Sequence, residues 1–156
     1  MLEIEIPGFG SVQLQHLVSD YTGTLSHNGK LIPGVEERLK QISEFMDIHV
    51  LTSDTFGTAE SELNDLPCKL KILDGEYHDL QKEEYVDSLG ASSVVAFGNG
   101  NNDRKMLRVA KIGVAVTGRE GSAVDILMAG EVYVNDIIAG LELLIYPKRL
   151  KATLRY

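Results

Sequence analysis

Apolar and polar positions along the chain alternate in two rhythms, and the switches between them mark out the elements. Leu2, Ile4 and Ile6 are interleaved with Glu3 and Glu5, the period of two of a half-exposed strand. Pro7-Gly8-Phe9-Gly10 is a turn signal and residues 12–18 read as a returning strand. Residues 1–19 are therefore expected to form an N-terminal β-hairpin that delivers Asp20 at its end. Leu25-Ser26-His27 and Lys30-Leu31-Ile32 flank Asn28-Gly29, a strong two-residue turn signal, and Pro33-Gly34 closes this small flap over about residues 25–33. From Val35 the spacing becomes helical, with Val35, Leu39, Ile42 and Phe45 on one face.

Residues 48–51 then read as a short strand ending at Thr52, and Thr55 is placed to cap a helix carrying Ala59, Leu63 and Leu66. Residues 70–73 form a strand that Asp74-Gly75 cuts short. Residues 79–89 read as helix, 93–97 as strand and 102–110 as helix, and the alternation continues through 112–116, 122–128, 131–134 and 137–145. Strands separated by helices of about ten residues imply βαβ units, hence a mainly parallel sheet covered on both faces. No internal repeat, low-complexity tract or linker interrupts the pattern, so residues 1–156 are expected to form a single α/β domain.

Composition narrows the function classes. The net charge of −8 supplies no basic surface for nucleic acid. No apolar stretch reaches the roughly 18 residues of a membrane span, and Met1-Leu2-Glu3-Ile4-Glu5 does not resemble a signal peptide. A single cysteine, Cys68, excludes an intrachain disulfide and a cysteine-based metal cluster. These features together favour the cytoplasm. An acidic chain that handles phosphate must also cancel its own repulsion locally, which calls for a divalent cation.

Four elements carrying candidate chemistry lie just after strand ends, where open parallel sheets bind ligands. Asp20 opens the run Asp20-Tyr21-Thr22-Gly23-Thr24 and is placed to attack phosphorus as a carboxylate nucleophile. Gly23 permits tight backbone geometry there, with backbone amides facing phosphate oxygens. Thr52 offers a hydroxyl donor. Lys82 is a point charge for phosphate and nucleophile, although its neighbours Gln81, Glu83 and Glu84 alone would make it a solvated helix residue. Asn99 and Asp103, in Gly98-Asn99-Gly100-Asn101-Asn102-Asp103, supply the oxygen ligands that Mg²⁺ prefers; Asn102 or Asp103 is equally suited to capping the next helix. Charge balance supports the set. Asp20, Asp103 and a phosphate dianion bring about four negative charges together, each unit pair costing about 4 kcal/mol at 4 Å and an effective dielectric near 20. Lys82 and Mg²⁺ return about three positive charges.

This ordered set resembles the four signature motifs of the haloacid dehalogenase-like (HAD) superfamily. Within it, the Asp-x-Thr-Gly-Thr form, Leu51-Thr52-Ser53-Asp54 followed by Thr58-Ala59, and Gly-Asn-Gly-x-Asn-Asp are most similar to the phosphorylation domain of P-type ATPases and their small soluble relatives. The resemblance spans about residues 12–135. It implies a Rossmann-like three-layer core with the Asp20 strand at its centre. It implies Mg²⁺ held by Asp20, the backbone carbonyl of Thr22, Asn99 and Asp103. It also implies a phosphoryl group positioned by Thr22, Gly23, Thr52, Ser53, Lys82 and Asn102.

Two departures qualify that likeness. Thr22 stands where most HAD phosphatases carry a second, acid/base aspartate, a group that typically contributes 10²–10⁴-fold; hydrolysis is expected to be slow. Asn99 replaces the first aspartate of the usual Gly-Asp-Gly-x-x-Asp, which should weaken metal affinity unless Asp103 or Asp54 compensates. Roughly 30 residues separate Asp20 from Thr52, and about as many separate Thr52 from Lys82, so neither gap holds a large cap domain or a pump's nucleotide-binding insert.

The expected function is thus a Mg²⁺-dependent phosphohydrolase working through an aspartyl-phosphate on Asp20. The alternative is a weakly or non-catalytic phosphate-binding regulatory module. An open, capless site suits a phosphorylated small molecule or a phosphate protruding from a larger substrate, or a site completed by a second subunit in a homo-oligomer. His27 on the flap is a candidate substrate contact. The basic segment from Lys148 to Arg155 either packs locally or contacts another subunit.

Overall fold

The computed structural model describes residues 1–156. Ten strands and six α-helices follow one another: β1 (Leu2–Ile6), β2 (Gly10–Leu14), β3 (His16–Asp20), β4 (Ser26–His27), β5 (Lys30–Leu31), α1 (Val35–Ile42), β6 (Asp47–Thr52), α2 (Ala59–Leu63), β7 (Lys69–Ile72), α3 (His78–Leu89), β8 (Val94–Gly98), α4 (Arg104–Val109), β9 (Ile112–Val116), β10 (Val132–Val134), α5 (Ile137–Ile145) and α6 (Pro147–Leu154). Six strands form the central sheet in the order β10-β9-β8-β3-β6-β7, and every pair in it is parallel. Both neighbours of β3 follow it in the chain, and the connections run outward from it in opposite directions. This is the Rossmann-like strand order, and β3 sits where it reverses.

The two sheet faces are covered as the parallel topology requires. Leu17, Val50, Val95, Phe97 and Val114 pack into one cluster with Leu39 of α1, Leu141 of α5 and Leu14 of the hairpin. Val18, Leu51, Ala96 and Ala115 pack into the other with Val86 of α3 and Leu107 of α4. β3 is buried on both faces, with Leu17 in one cluster and Val18 in the other, and the alternating run Val12-Gln13-Leu14-Gln15 leads straight into it, which explains the boundary missed in sequence. Residues 12–18 are not one returning strand. They divide at Gln15, whose N–H donates to Ser93 O and whose carbonyl accepts from Asp47 N, closing β2 and starting β3 in the main sheet. The antiparallel hairpin β1–β2 is thus a separate two-stranded sheet, and Asp20 ends β3.

The flap forms as expected, β4 pairing with β5 across Asn28 and Gly29, both at positive φ. It is bonded on two sides. Tyr21 Oη donates to Gly29 O at 2.8 Å, Thr58 Oγ1 also donates to Gly29 O, and Leu31 N donates to Glu62 Oε2 at 3.0 Å. On the opposite side Asn28 N donates to Glu120 Oε2 at 3.2 Å.

Two further local expectations are corrected, and the alternative left open for the basic segment is decided. The helix after β6 begins at Ala59, and Asp54 serves its first amides: Asp54 Oδ1 accepts from Thr58 N and Ala59 N, leaving Thr55 exposed. Residues 124–128 form 3-10 turns, short of an α-helix. Pro147 starts α6, whose Leu150 is buried, while Tyr156 N donates to Pro7 O; the basic segment packs on its own hairpin. On the α3 side of the sheet, His49 is buried with Nε2 3.2 Å from His16 Nδ1 and Nδ1 2.9 Å from Tyr85 Oη.

Candidate active site

Strand register brings the motif residues together. Asp20 pairs with Leu51, so Thr52 follows beside it at the end of β6; Ser19 pairs with Phe97, so Gly98 and Asn99 leave β8 on the other side. Lys82 arrives from above, on the inner face of α3 with Val86, and is only 1% exposed. Its ammonium Nζ donates to Asp20 Oδ1 at 2.8 Å and to Asp103 Oδ1 at 2.6 Å. Neighbouring charges in sequence made Lys82 look solvated, but α3 turns Glu83 and Glu84 away from the sheet and Lys82 toward it.

The loop after β8 is stitched by Asp103. Its Oδ2 accepts from Asn99 N and Gly100 N, both at 3.0 Å. Gly98 is required there because a Cβ would overlap the Asp103 side chain. Asn99 Nδ2 donates to Gly121 O at 3.1 Å, which turns Oδ1 inward. Asn99 Oδ1 then lies 3.2 Å from Thr24 Oγ1, which lies 3.1 Å from Asp20 Oδ2. Gly23 (φ 78°) permits this approach, since a Cβ would run into the Asn99 amide.

Electrostatics follow from burial. Removal from water and repulsion from Asp103 push the Asp20 carboxyl up to about 7, against the opposing pull of Lys82 and Thr24. Burial alone would lower the Lys82 ammonium, but Asp20 and Asp103 together outweigh it and hold it above its ordinary value. One ammonium between two buried carboxylates leaves an excess negative charge.

That excess bears on a metal. No cluster of three or more His, Cys, Asp or Glu side chains is present, so a transition-metal site of nitrogen or sulfur ligands does not fit. Oxygen atoms fit better. Asp20 Oδ2, Asn99 Oδ1 and Thr24 Oγ1 crowd around a single hydroxyl proton, and the buried Thr22 Oγ1 has no hydrogen-bond partner. A surplus of oxygen acceptors, only one or two of them charged, is the donor set Mg²⁺ takes while keeping waters. Asp103 has already committed its oxygens to Lys82 and two amides, which leaves Asp20 and Asn99 as the more available side-chain donors.

The remaining predicted residues are less closely drawn in. Thr52 is buried, and its Oγ1 accepts from Asp54 N at 2.9 Å, leaving the hydroxyl proton free. Ser53 and Asn102 are exposed and make no hydrogen bond to Asp20 or Lys82. Asp54 is taken up by the start of α2. Thr24 is the residue whose role sequence reasoning missed. Its place at the end of the Asp-x-Thr-Gly-Thr run was the available signal.

A family model described as haloacid dehalogenase-like hydrolase matches residues 80–124, the stretch containing Lys82 and the Asn99–Asp103 loop. An uncharacterized protein of Methanocaldococcus jannaschii is 39% identical over 87 residues, covering 56% of this chain and 84% of that protein. Among solved structures, the cobalt-bound deoxy-D-mannose-octulosonate 8-phosphate phosphatase of Haemophilus influenzae is similar with TM-score 0.72 at 12% identity, covering 92% of this chain and 94% of that one. The 3-deoxy-D-manno-octulosonate 8-phosphate phosphatase of Moraxella catarrhalis, solved with magnesium, phosphate and its sugar acid, gives 0.65 at 15% identity over 91% and 94%. These α/β folds share the Rossmann-like core described above. Over residues 80–124 the chain is thus similar to haloacid dehalogenase-like hydrolases, and its fold is the one these phosphatases share.

Proposed function

We propose that this protein is a Mg²⁺-dependent phosphohydrolase that works slowly through an aspartyl-phosphate on Asp20. What carries this reading is the buried Lys82 ammonium, bonded to both Asp20 and Asp103 beside a cluster of oxygen donors. Two phosphatases of similar fold, one a cobalt-bound form and one in complex with magnesium and phosphate, support it.

An Asp20 oxygen attacks phosphorus while the bond from phosphorus to the leaving oxygen breaks, and that oxygen departs with its electron pair. Lys82 orients the Asp20 carboxylate and favours its ionised form against the burial that raises its pKa, and the free hydroxyl proton of Thr52 is donated to a phosphoryl oxygen. Mg²⁺, held by Asp20, Asn99, the Thr22 carbonyl and Asp103 directly or through water, would offset the phosphate's charge. Thr22 cannot supply a proton as an aspartic acid would, so the leaving oxygen takes one from water. Water then attacks the phosphorus of the acyl phosphate, regenerating Asp20 and releasing phosphate, again without a nearby base. Such a durable intermediate is the point of likeness to P-type ATPases.

The chain is proposed to act as one unit in the cytoplasm, on a phosphorylated small molecule or a phosphate protruding from a larger one. No helix is long and apolar enough to cross a membrane. Release of 4-nitrophenol from 4-nitrophenyl phosphate with Mg²⁺ tests the assignment. The unaltered protein should turn over and Asp20→Asn should fall to background; equal rates would falsify it. Beryllofluoride binding at Asp20 without turnover would favour the regulatory alternative, for which Thr22 and Asn99 are the motivating residues.

A further inference from the structure

Beside the nucleophile lies a cavity of about 630 Å³, within the range of small-ligand sites. Gly23 and Thr24 form the end nearest Asp20, and Thr24 Oγ1 donates to Asp20 Oδ2. Leu31 and Ile32 of the flap face Val116, Ile137 and Ile138 across it, so the walls are apolar. The lips are cationic: Lys30 on the flap and Arg119 on the loop after β9. Neither forms an ion pair, and both are exposed in a protein of net charge −8. Asp136, the one carboxylate in the lining, accepts from Ala139 N at 2.7 Å at the start of α5 and is thereby partly offset. The bond from Asn28 N to Glu120 Oε2 ties the flap to the loop bearing Arg119, so the backbones of the two lips are linked.

We propose that this cavity is the leaving-group subsite and that it selects phosphomonoesters whose apolar body carries a second anionic group, a carboxylate, at the end away from phosphorus. The proposal rests on the phosphohydrolase reading above. Apolar walls take the body, Lys30 and Arg119 take the carboxylate, and His27, which also lines the cavity, offers a ring nitrogen with no protein partner.

Phenyl phosphate and 4-carboxyphenyl phosphate test it, because their leaving phenols differ little in acidity. The unaltered protein should prefer the carboxylated ester by about tenfold in kcat/KM, the sum expected of two half-screened charge contacts, expressed mainly in KM. The double substitution Lys30→Glu with Arg119→Glu should bring that ratio below one. A ratio near one in the unaltered protein, or an unchanged ratio in the double variant, overturns the subsite. If neither ester is hydrolysed, the phosphohydrolase reading fails separately, and the subsite is judged by equilibrium binding of the same pair with Mg²⁺. A preference for the carboxylated ester that the double variant loses supports it, and equal affinities overturn it.

Discussion

Thr24 and Asn99, 75 residues apart in the chain, meet with 3.2 Å between Oγ1 and Oδ1. The contact brings a neutral amide where the superfamily usually carries a carboxylate, so Asn99→Asp adds a full negative charge beside Asp20. Half-maximal Mg²⁺ for 4-nitrophenyl phosphate turnover should fall roughly tenfold. The variant also replaces the bond from Nδ2 to Gly121 O with facing oxygens, at a cost of about 1 kcal/mol in urea unfolding without metal. An unchanged Mg²⁺ requirement would count against Asn99 as a metal donor.

Removing the buried cation should be costly. Lys82→Met leaves Asp20 and Asp103 buried without their shared partner, and stability at pH 8 should drop by about 3 kcal/mol. The loss should shrink at pH 5, where a proton can take the ammonium's place between the carboxylates. Urea midpoints at the two pH values check this, and equal losses at both would contradict it.

Thr22→Asp should shorten the life of the phosphoenzyme by about tenfold or more by returning an acid/base group. The buried, unpartnered Thr22 Oγ1 marks where that carboxyl would start. Acid-quenched labelling with a phosphoryl donor should show less accumulated intermediate and faster turnover. Loss of activity as complete as in Asp20→Asn would remove the explanation offered for slow hydrolysis.

His49 predicts an acid-sensitive step away from the site. Burial, with smaller contributions from His16 and Lys69, pushes its imidazole down to about 4. In the unfolded chain the ring takes up a proton near 6.5. As pH falls below that value, protons therefore favour the unfolded state, and stability present above 6.5 is progressively lost toward pH 4. His49→Gln should flatten the fall in denaturation midpoint between pH 7 and pH 5 relative to the unaltered protein. An identical slope would mean that His49 does not carry this dependence.

The motif residues were legible because their spacing repeats a pattern of strand ends. Once Asp20, Thr52 and Gly98 each close a parallel strand, register places them side by side. What escaped the sequence had no such periodic signal. Gln15 separates two strands through bonds to Ser93 and Asp47, residues far along the chain. The burial of Lys82 depends on what α3 packs against, which its polar neighbours concealed. By contrast, Pro147 was a readable helix start, and α6 was not read because the basic residues after it fitted local packing and a subunit contact equally well.

The flap's several anchors also set how the pocket meets its ligand. A hairpin bonded to Tyr21, Thr58 and Glu62 on one side and to Glu120 on the other is held at both edges, more a doorframe than a door. Selection at this aperture then rests on the width and charge that the bonded flap presents, and less ordering entropy is spent when a molecule enters.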